Sequence, residues 1–88
     1  AFKEAYNAIA EFNKIKEIYE TRLRLEQSSK ITLDLAQLQY LNGVIGYLDL
    51  LDAQRGYLDA QIGLSNAIRD KQITLVNLYK ALGGGWQE

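Results

Sequence analysis

The sequence of 88 residues contains no proline, no cysteine and no histidine. Because proline is absent, nothing in the chain forces a helix to break, and very long helices are permitted. The absence of cysteine excludes both a disulfide framework and a thiolate metal site. The absence of histidine removes the commonest general base and the commonest metal ligand. The composition therefore argues against an enzyme, and we expect neither a metal nor a cofactor.

The chain also has little net charge and no long apolar run. Ten basic and eleven acidic residues give a formal net charge of −1. Such a balance argues against binding to nucleic acid. No apolar run approaches the roughly 18 residues that a transmembrane helix requires. No signal segment opens the chain, which begins inside an apparent helix, so we expect a piece excised from a longer protein.

Two long segments carry the spacing of amphipathic helices. In the first segment, apolar residues recur at spacings of three and four or their sums, which marks a helix face. These residues are Phe2, Ala5, Ile9, Phe12, Tyr19, Leu23, Ile31, Leu35 and Leu38. We predict one helix over about 1–42, with at most a bend at Ser28-Ser29. A second helix is predicted over about 47–82, followed by a tail at 83–88 that begins with three glycines.

The residues between the two segments predict a short turn at 43–46. Gly43 suits the left-handed position just after a helix end. Gly46 can precede the next helix and leave Asp49 in its first turn, where a carboxylate is favoured. Because a turn of this length makes consecutive helices neighbours, we predict an all-α fold. Its architecture is a single long antiparallel helical hairpin of the coiled-coil type.

The second helix carries a stripe of small residues at alternating spacings of three and four. The stripe consists of Ala53, Gly56, Ala60, Gly63 and Ala67. Each helix-interior glycine costs about 1 kcal/mol relative to alanine, so the stripe indicates a close approach by another helix backbone. The large apolar residues lie mostly on other faces. We therefore expect the hairpin to belong to a larger assembly of helices.

Two motifs resemble signatures of one protein family. Residues 47–55 read YLDLLDAQR, and residues 78–86 read LYKALGGGW. Both are similar to sequences of TolC-type outer membrane efflux channels, and Asn42-Gly43-Val44 is similar to the family's turn. The resemblance covers the whole chain and is most specific over 40–86. It implies the periplasmic hairpin of the second, C-terminal repeat, a fragment of the family's α-barrel.

The resemblance also implies a function and a set of partners. Channels of this family are trimers in the cell outer membrane that export small molecules through a periplasmic tunnel. The implied partners are other copies of the chain, a periplasmic adaptor protein and an inner membrane pump. The hairpin itself is not expected to span the membrane. The alternative from a different class is a structural coiled-coil module, such as an adaptor hairpin without a transport role.

Several residues near the turn gain candidate roles from the resemblance. Asp49 and Asp52 occupy the positions of the aspartates that line the narrowest part of the closed channel. Tyr40 matches a tyrosine of the closing network, but Ile45 stands where the family's partner arginine is found. The alternative for the two acids is local: Asp49 as a first-turn acid, and Asp52 in an ion pair with Arg55.

The turn itself has two interpretations. Val44 and Ile45 are apolar residues at an exposed tip, which is typical of a docking surface. The tip residues Tyr40, Gly43, Val44, Ile45 and Gly46 are then the candidate contact for the adaptor. Alternatively, the apolar pair closes the hairpin by contacts across the turn.

Overall fold

The computed structural model describes residues 2–83, which form two helices and one turn. Helix α1 spans Phe2–Leu41, and helix α2 spans Tyr47–Gly83. The helices lie side by side in an antiparallel hairpin with extents of 68 × 14 × 13 Å. The predicted all-α hairpin is confirmed. Gly83, assigned to the tail from the sequence, is the last residue of α2, and the remaining tail residues at 84–88 lie outside the described range.

The first helix ends in a hydrogen-bonded motif that explains the requirement for glycine. The Gly43 amide donates to the Tyr40 carbonyl at 3.1 Å, and the Val44 amide donates to the Gln39 carbonyl at 2.8 Å. This pair of bonds defines a Schellman motif, which satisfies carbonyls that the helix end leaves without partners. Gly43 has φ of 74°, a left-handed conformation that side chains with a Cβ rarely adopt.

The second helix begins at a cap formed by Gly46 and Asp49. The Gly46 carbonyl accepts the first intrahelical bond, from the Leu50 amide at 3.3 Å. The Asp49 carboxylate reaches back and accepts a hydrogen bond from the Gly46 amide at 3.4 Å. An acid at this position satisfies an amide at the start of the helix and interacts favourably with the helix dipole.

The two helices meet along a narrow contact, here called the seam, with a repeat of seven residues. In α2 the seam positions alternate in steps of three and four: Leu50, Ala53, Tyr57, Ala60, Leu64, Ala67, Lys71, Thr74, Leu78 and Ala81. In α1 they include Ala5, Ala8, Phe12, Ile15, Tyr19, Glu26, Ser29, Leu33 and Ala36. A seven-residue repeat keeps one face of each helix toward its partner, as in a left-handed coiled coil.

The core of the hairpin is thin. Within the described residues, the buried side chains are Ala36, Leu50, Ala60, Ala67 and Thr74, and none is completely inaccessible. Many large apolar residues stay exposed, including Ile31 at 69% and Leu35 at 52%, both assigned to the apolar face of α1 from the sequence. Exposed apolar surface of this extent indicates a surface that further protein covers.

Candidate functional site at the hairpin tip

The tip presents three exposed apolar side chains beside a tyrosine pair, namely Leu41, Val44 and Leu48. Val44 is 67% exposed, whereas its neighbour Ile45 is half-buried. The rings of Tyr40 and Tyr47 lie across the turn with centroids 5.9 Å apart and planes inclined at 54°. Tilted ring pairs at this distance are favourable. Val44 is therefore accessible to a partner at the tip, whereas Ile45 is only partly so.

Asp49 and Asp52 are both exposed at the start of α2, but their surroundings differ. Asp49 caps its helix through the bond from the Gly46 amide. The alternative pairing of Asp52 with Arg55 is not formed, since the ion pair found within residues 2–83 joins Arg69 and Asp70 at 3.3 Å. The Asp52 carboxylate therefore faces solvent near the tip without an ionic partner in the described part of the chain.

Asp52 lines a shallow groove along one flank of the hairpin. The groove is bordered by Leu25, Ser28, Ser29, Thr32, Asp52, Ala53, Gly56 and Tyr57. The Ser28 hydroxyl donates to the Leu25 carbonyl at 3.1 Å, and α1 continues unbroken through this point. Gly56 leaves the groove open, because a Cβ atom built there would meet nothing within 4 Å.

The flank that carries this groove is acidic. All four aspartates of α2 lie on this side of the seam by the seven-residue repeat. They are Asp49, Asp52, Asp59 and Asp70. The opposite flank has a second shallow groove bordered by Tyr19, Ile68, Lys71, Gln72 and Leu75. The two flanks of α2 thus differ in chemistry, with carboxylates on one side and mainly apolar and amide side chains on the other.

The stripe of small residues divides between the seam and this acidic flank. Ala60 and Ala67 are each 4% exposed and are buried against α1. Ala53 and Gly63 are half-buried, and a Cβ atom on Gly63 would lie 3.2 Å from Arg22 Nη1. Gly56 is exposed. Most of the stripe therefore lets α1 approach closely within the hairpin, and only Gly56 opens outward.

Two tyrosines in the seam contact charged side chains of the other helix. The Tyr57 hydroxyl donates to Glu26 Oε2 at 3.0 Å. This hydrogen bond to a carboxylate, together with partial burial, raises the pKa of Tyr57 above its ordinary value. In the second contact, Lys71 Nζ of α2 lies 4.3 Å from the centre of the Tyr19 ring of α1, which is a cation–π contact.

Sequence reasoning missed these seam tyrosines and the pairing of Tyr40 with Tyr47. From the sequence, Tyr19 is placed only on the apolar face of the first helix, and Tyr57 is given no role. The signal that identifies them is the seven-residue repeat, since Tyr57 and Lys71 occupy the same position two repeats apart. Counting from the buried alanines Ala60 and Ala67 gives that register.

The described residues form no constellation for metal binding or membrane insertion. No group of three or more potential metal ligands comes together within residues 2–83. Over the same range, neither helix combines the length and the apolar character needed to span a bilayer. The groups that the site offers for binding are thus the carboxylates on one flank and the apolar side chains at the tip.

Comparison with known proteins decides the family. The model of the outer membrane efflux protein family matches residues 1–84. The chain belongs to this family. Outer membrane efflux proteins are transporters and not enzymes, which confirms the expectation of a role without catalysis. Family membership places the protein in the cell outer membrane, with its helical part on the periplasmic side.

Efflux proteins with several different cargoes are among the relatives. The chain is 38% identical over 88 residues to outer membrane protein OprJ of Pseudomonas aeruginosa, covering 100% of the chain and 18% of the relative. It is 35% identical to the cation efflux system protein CusC of Escherichia coli over 100% of the chain and 19% of CusC. It is 38% identical to the solvent efflux pump outer membrane protein SrpC of Pseudomonas putida over 98% of the chain and 18% of SrpC.

The match covers only part of each efflux protein. The chain spans about a fifth of the length of the curated relatives it matches. No solved structure matches the chain.

Proposed function

We propose that this hairpin is a periplasmic tunnel segment of a trimeric outer membrane channel. The channel belongs to a tripartite efflux system that exports small molecules. In this channel, Asp49 and Asp52 face the lumen near the tip. The observation that carries the proposal is that both carboxylates are exposed on the acidic flank of the hairpin, in a chain that belongs to the efflux protein family. The cargo class stays broad, because relatives are named for cation efflux and for solvent efflux.

The contrast between the two flanks supports this orientation. A carboxylate keeps its hydration when it faces a water-filled lumen, and burial between helices would carry a large desolvation cost. The opposite flank presents side chains such as Leu58, Ile68 and Leu75, which are 55%, 40% and 38% exposed in the single hairpin. Contact with neighbouring helices would cover this apolar surface of α2 and would leave its aspartates toward water.

The thin core supports an assembly of several copies. A rod 68 Å long with five buried side chains in its described part gains little from its own seam. Side-by-side packing with other copies and with other parts of the full-length protein adds the missing apolar contacts. Threefold symmetry then brings about six carboxylates, two per protomer, around one axis.

The tip supports contact with the adaptor protein. Val44 is exposed at the end of the rod, and it is fixed there by the Schellman motif rather than by a flexible loop. The adaptor and, through it, the inner membrane pump are accordingly the proposed partners. Tyr40, Gly43, Ile45 and Gly46 shape this contact by holding the turn in one conformation.

The test is the cation dependence of conductance in the full-length channel. Closely spaced carboxylates in a narrow opening create a local field that binds cations. The double variant Asp49→Ala/Asp52→Ala should therefore weaken block by divalent cations and reduce cation selectivity in planar bilayer recordings. Asp34→Ala, which removes an exposed acid from α1 instead, is the matched control and should behave as the parent channel.

Either of two results would reject the lumenal assignment. One is unchanged selectivity and unchanged divalent block in the double variant. The other is an equal change in the Asp34→Ala control, which would assign the effect to total charge rather than to the tip.

A further inference from the structure

The seam contains a hydrogen bond between side chains of the two helices, at positions where a coiled coil normally places apolar side chains. The Tyr57 hydroxyl donates to Glu26 Oε2 at 3.0 Å. Within residues 2–83 it is the only side-chain hydrogen bond between α1 and α2. Both residues are half-buried seam positions. A polar pair at such positions sacrifices apolar contact and adds a directional constraint.

The position of this pair divides the hairpin into two parts. Between the pair and the turn, here called the tip segment, lie residues 27–41 of α1 and 47–56 of α2. The buried side chains of the tip segment are Ala36 and Leu50. Beyond the pair, Ala60, Ala67 and Thr74 are buried, and Lys71 lies over Tyr19. The tip segment is thus held by the turn at one end and by the pair at the other.

The tip segment is also where the acidic flank lies open beside the seam. Tyr57 and Asp52 border the same groove, and Gly56 between them contributes no side chain to it. Solvent therefore reaches the edge of the hydrogen-bonded pair, so that water can replace the Glu26 acceptor when the helices separate. A contact that water can replace breaks at less cost than a fully buried one.

We propose that Glu26 and Tyr57 form a polar latch that holds the tip segment of α2 against α1. With the latch closed, α2 keeps one rotation relative to α1, and Asp52 keeps its place on the acidic flank. With the latch open, the tip segment separates while the remaining seam stays packed. The latch is a property of the hairpin and holds whether or not the flank lines a channel.

Hydrogen–deuterium exchange of the full-length protein, followed by mass spectrometry of its peptides, tests the latch. Tyr57→Phe keeps the ring and removes only the hydroxyl. Loss of one net hydrogen bond should accelerate exchange in the tip segment about three- to tenfold, while peptides beyond the latch keep the parent rate. Tyr19→Phe is the matched control, because Tyr19 contacts Lys71 through its ring and keeps that contact without the hydroxyl.

The second arm asks whether the two residues act as a pair. Glu26→Ala should accelerate exchange in the same peptides, and the double variant should exchange no faster than the faster single variant. Three results would overturn the proposal: no acceleration in Tyr57→Phe beyond that of Tyr19→Phe, acceleration spread equally over the whole hairpin, or fully additive effects of the two substitutions.

Discussion

Replacement of Gly56 by alanine should stabilise the hairpin. Gly56 lies in the interior of α2, and a Cβ atom built there meets nothing within 4 Å. The substitution therefore adds no clash and removes the conformational cost of a helix-interior glycine, about 1 kcal/mol. For a chain of this size, such a gain raises Tm by roughly 4–8 °C. Thermal unfolding of the 88-residue chain, followed by far-ultraviolet circular dichroism, measures the shift.

Gly63→Ala is the matched control for this prediction. Its Cβ atom would lie 3.2 Å from Arg22 Nη1, so the end of a flexible side chain must move. The expected increase in Tm is positive but no larger than that of Gly56→Ala. An unchanged or lower Tm for Gly56→Ala would refute the reasoning, because it would mean that α1 or another copy occupies the space that the single hairpin leaves open.

Two further predictions concern Tyr57 and Asp49. The Glu26 carboxylate raises the pKa of Tyr57, so the folded state favours the neutral phenol. The stability that this preference contributes is complete below the unfolded pKa of about 10. It is lost as pH rises through the higher pKa of the folded state. Tyr57→Phe should therefore reduce the fall in Tm at alkaline pH, whereas the exposed control Tyr79→Phe should leave it unchanged. Equal dependence of Tm on pH in Tyr57→Phe and the parent would contradict this linkage. Asp49→Ala should lower the free energy of unfolding in urea by about 0.3–1 kcal/mol through loss of the helix cap, and an equal loss in Asp52→Ala would show that the bond to the Gly46 amide does not stabilise the helix start.

Much of the fold could be predicted because the helix ends have local causes. The conformation of Gly43, with φ of 74°, is one that glycine adopts without strain, and no proline interrupts either helix. The carboxylate of Asp49 at the start of α2 follows from the same local chemistry. Helix type, the position of the turn and the antiparallel arrangement therefore follow from residues close together in the sequence.

The identity of the seam could not be predicted from apolar spacing alone. Ile31, Leu35 and Leu38 share a face of α1 by spacing, yet the structure turns this face away from α2 and places Leu33 and Ala36 toward it. Apolar residues occur on several faces of each helix, because the hairpin has surfaces for more than one neighbour. A single hydrophobic pattern then no longer identifies the partner inside the chain.

The two aspartates near the tip illustrate why the site was harder to predict than the fold. The sequence predicts a lumenal role equally for Asp49 and Asp52. In the structure, only Asp49 accepts a hydrogen bond from the start of its own helix. Any substitution of Asp49 therefore changes the stability of the tip as well as its charge. Asp52 has no ion pair within residues 2–83, and it borders a groove open to solvent. The single variant Asp52→Ala consequently isolates the electrostatic contribution, because removal of this carboxylate leaves the cap of α2 intact.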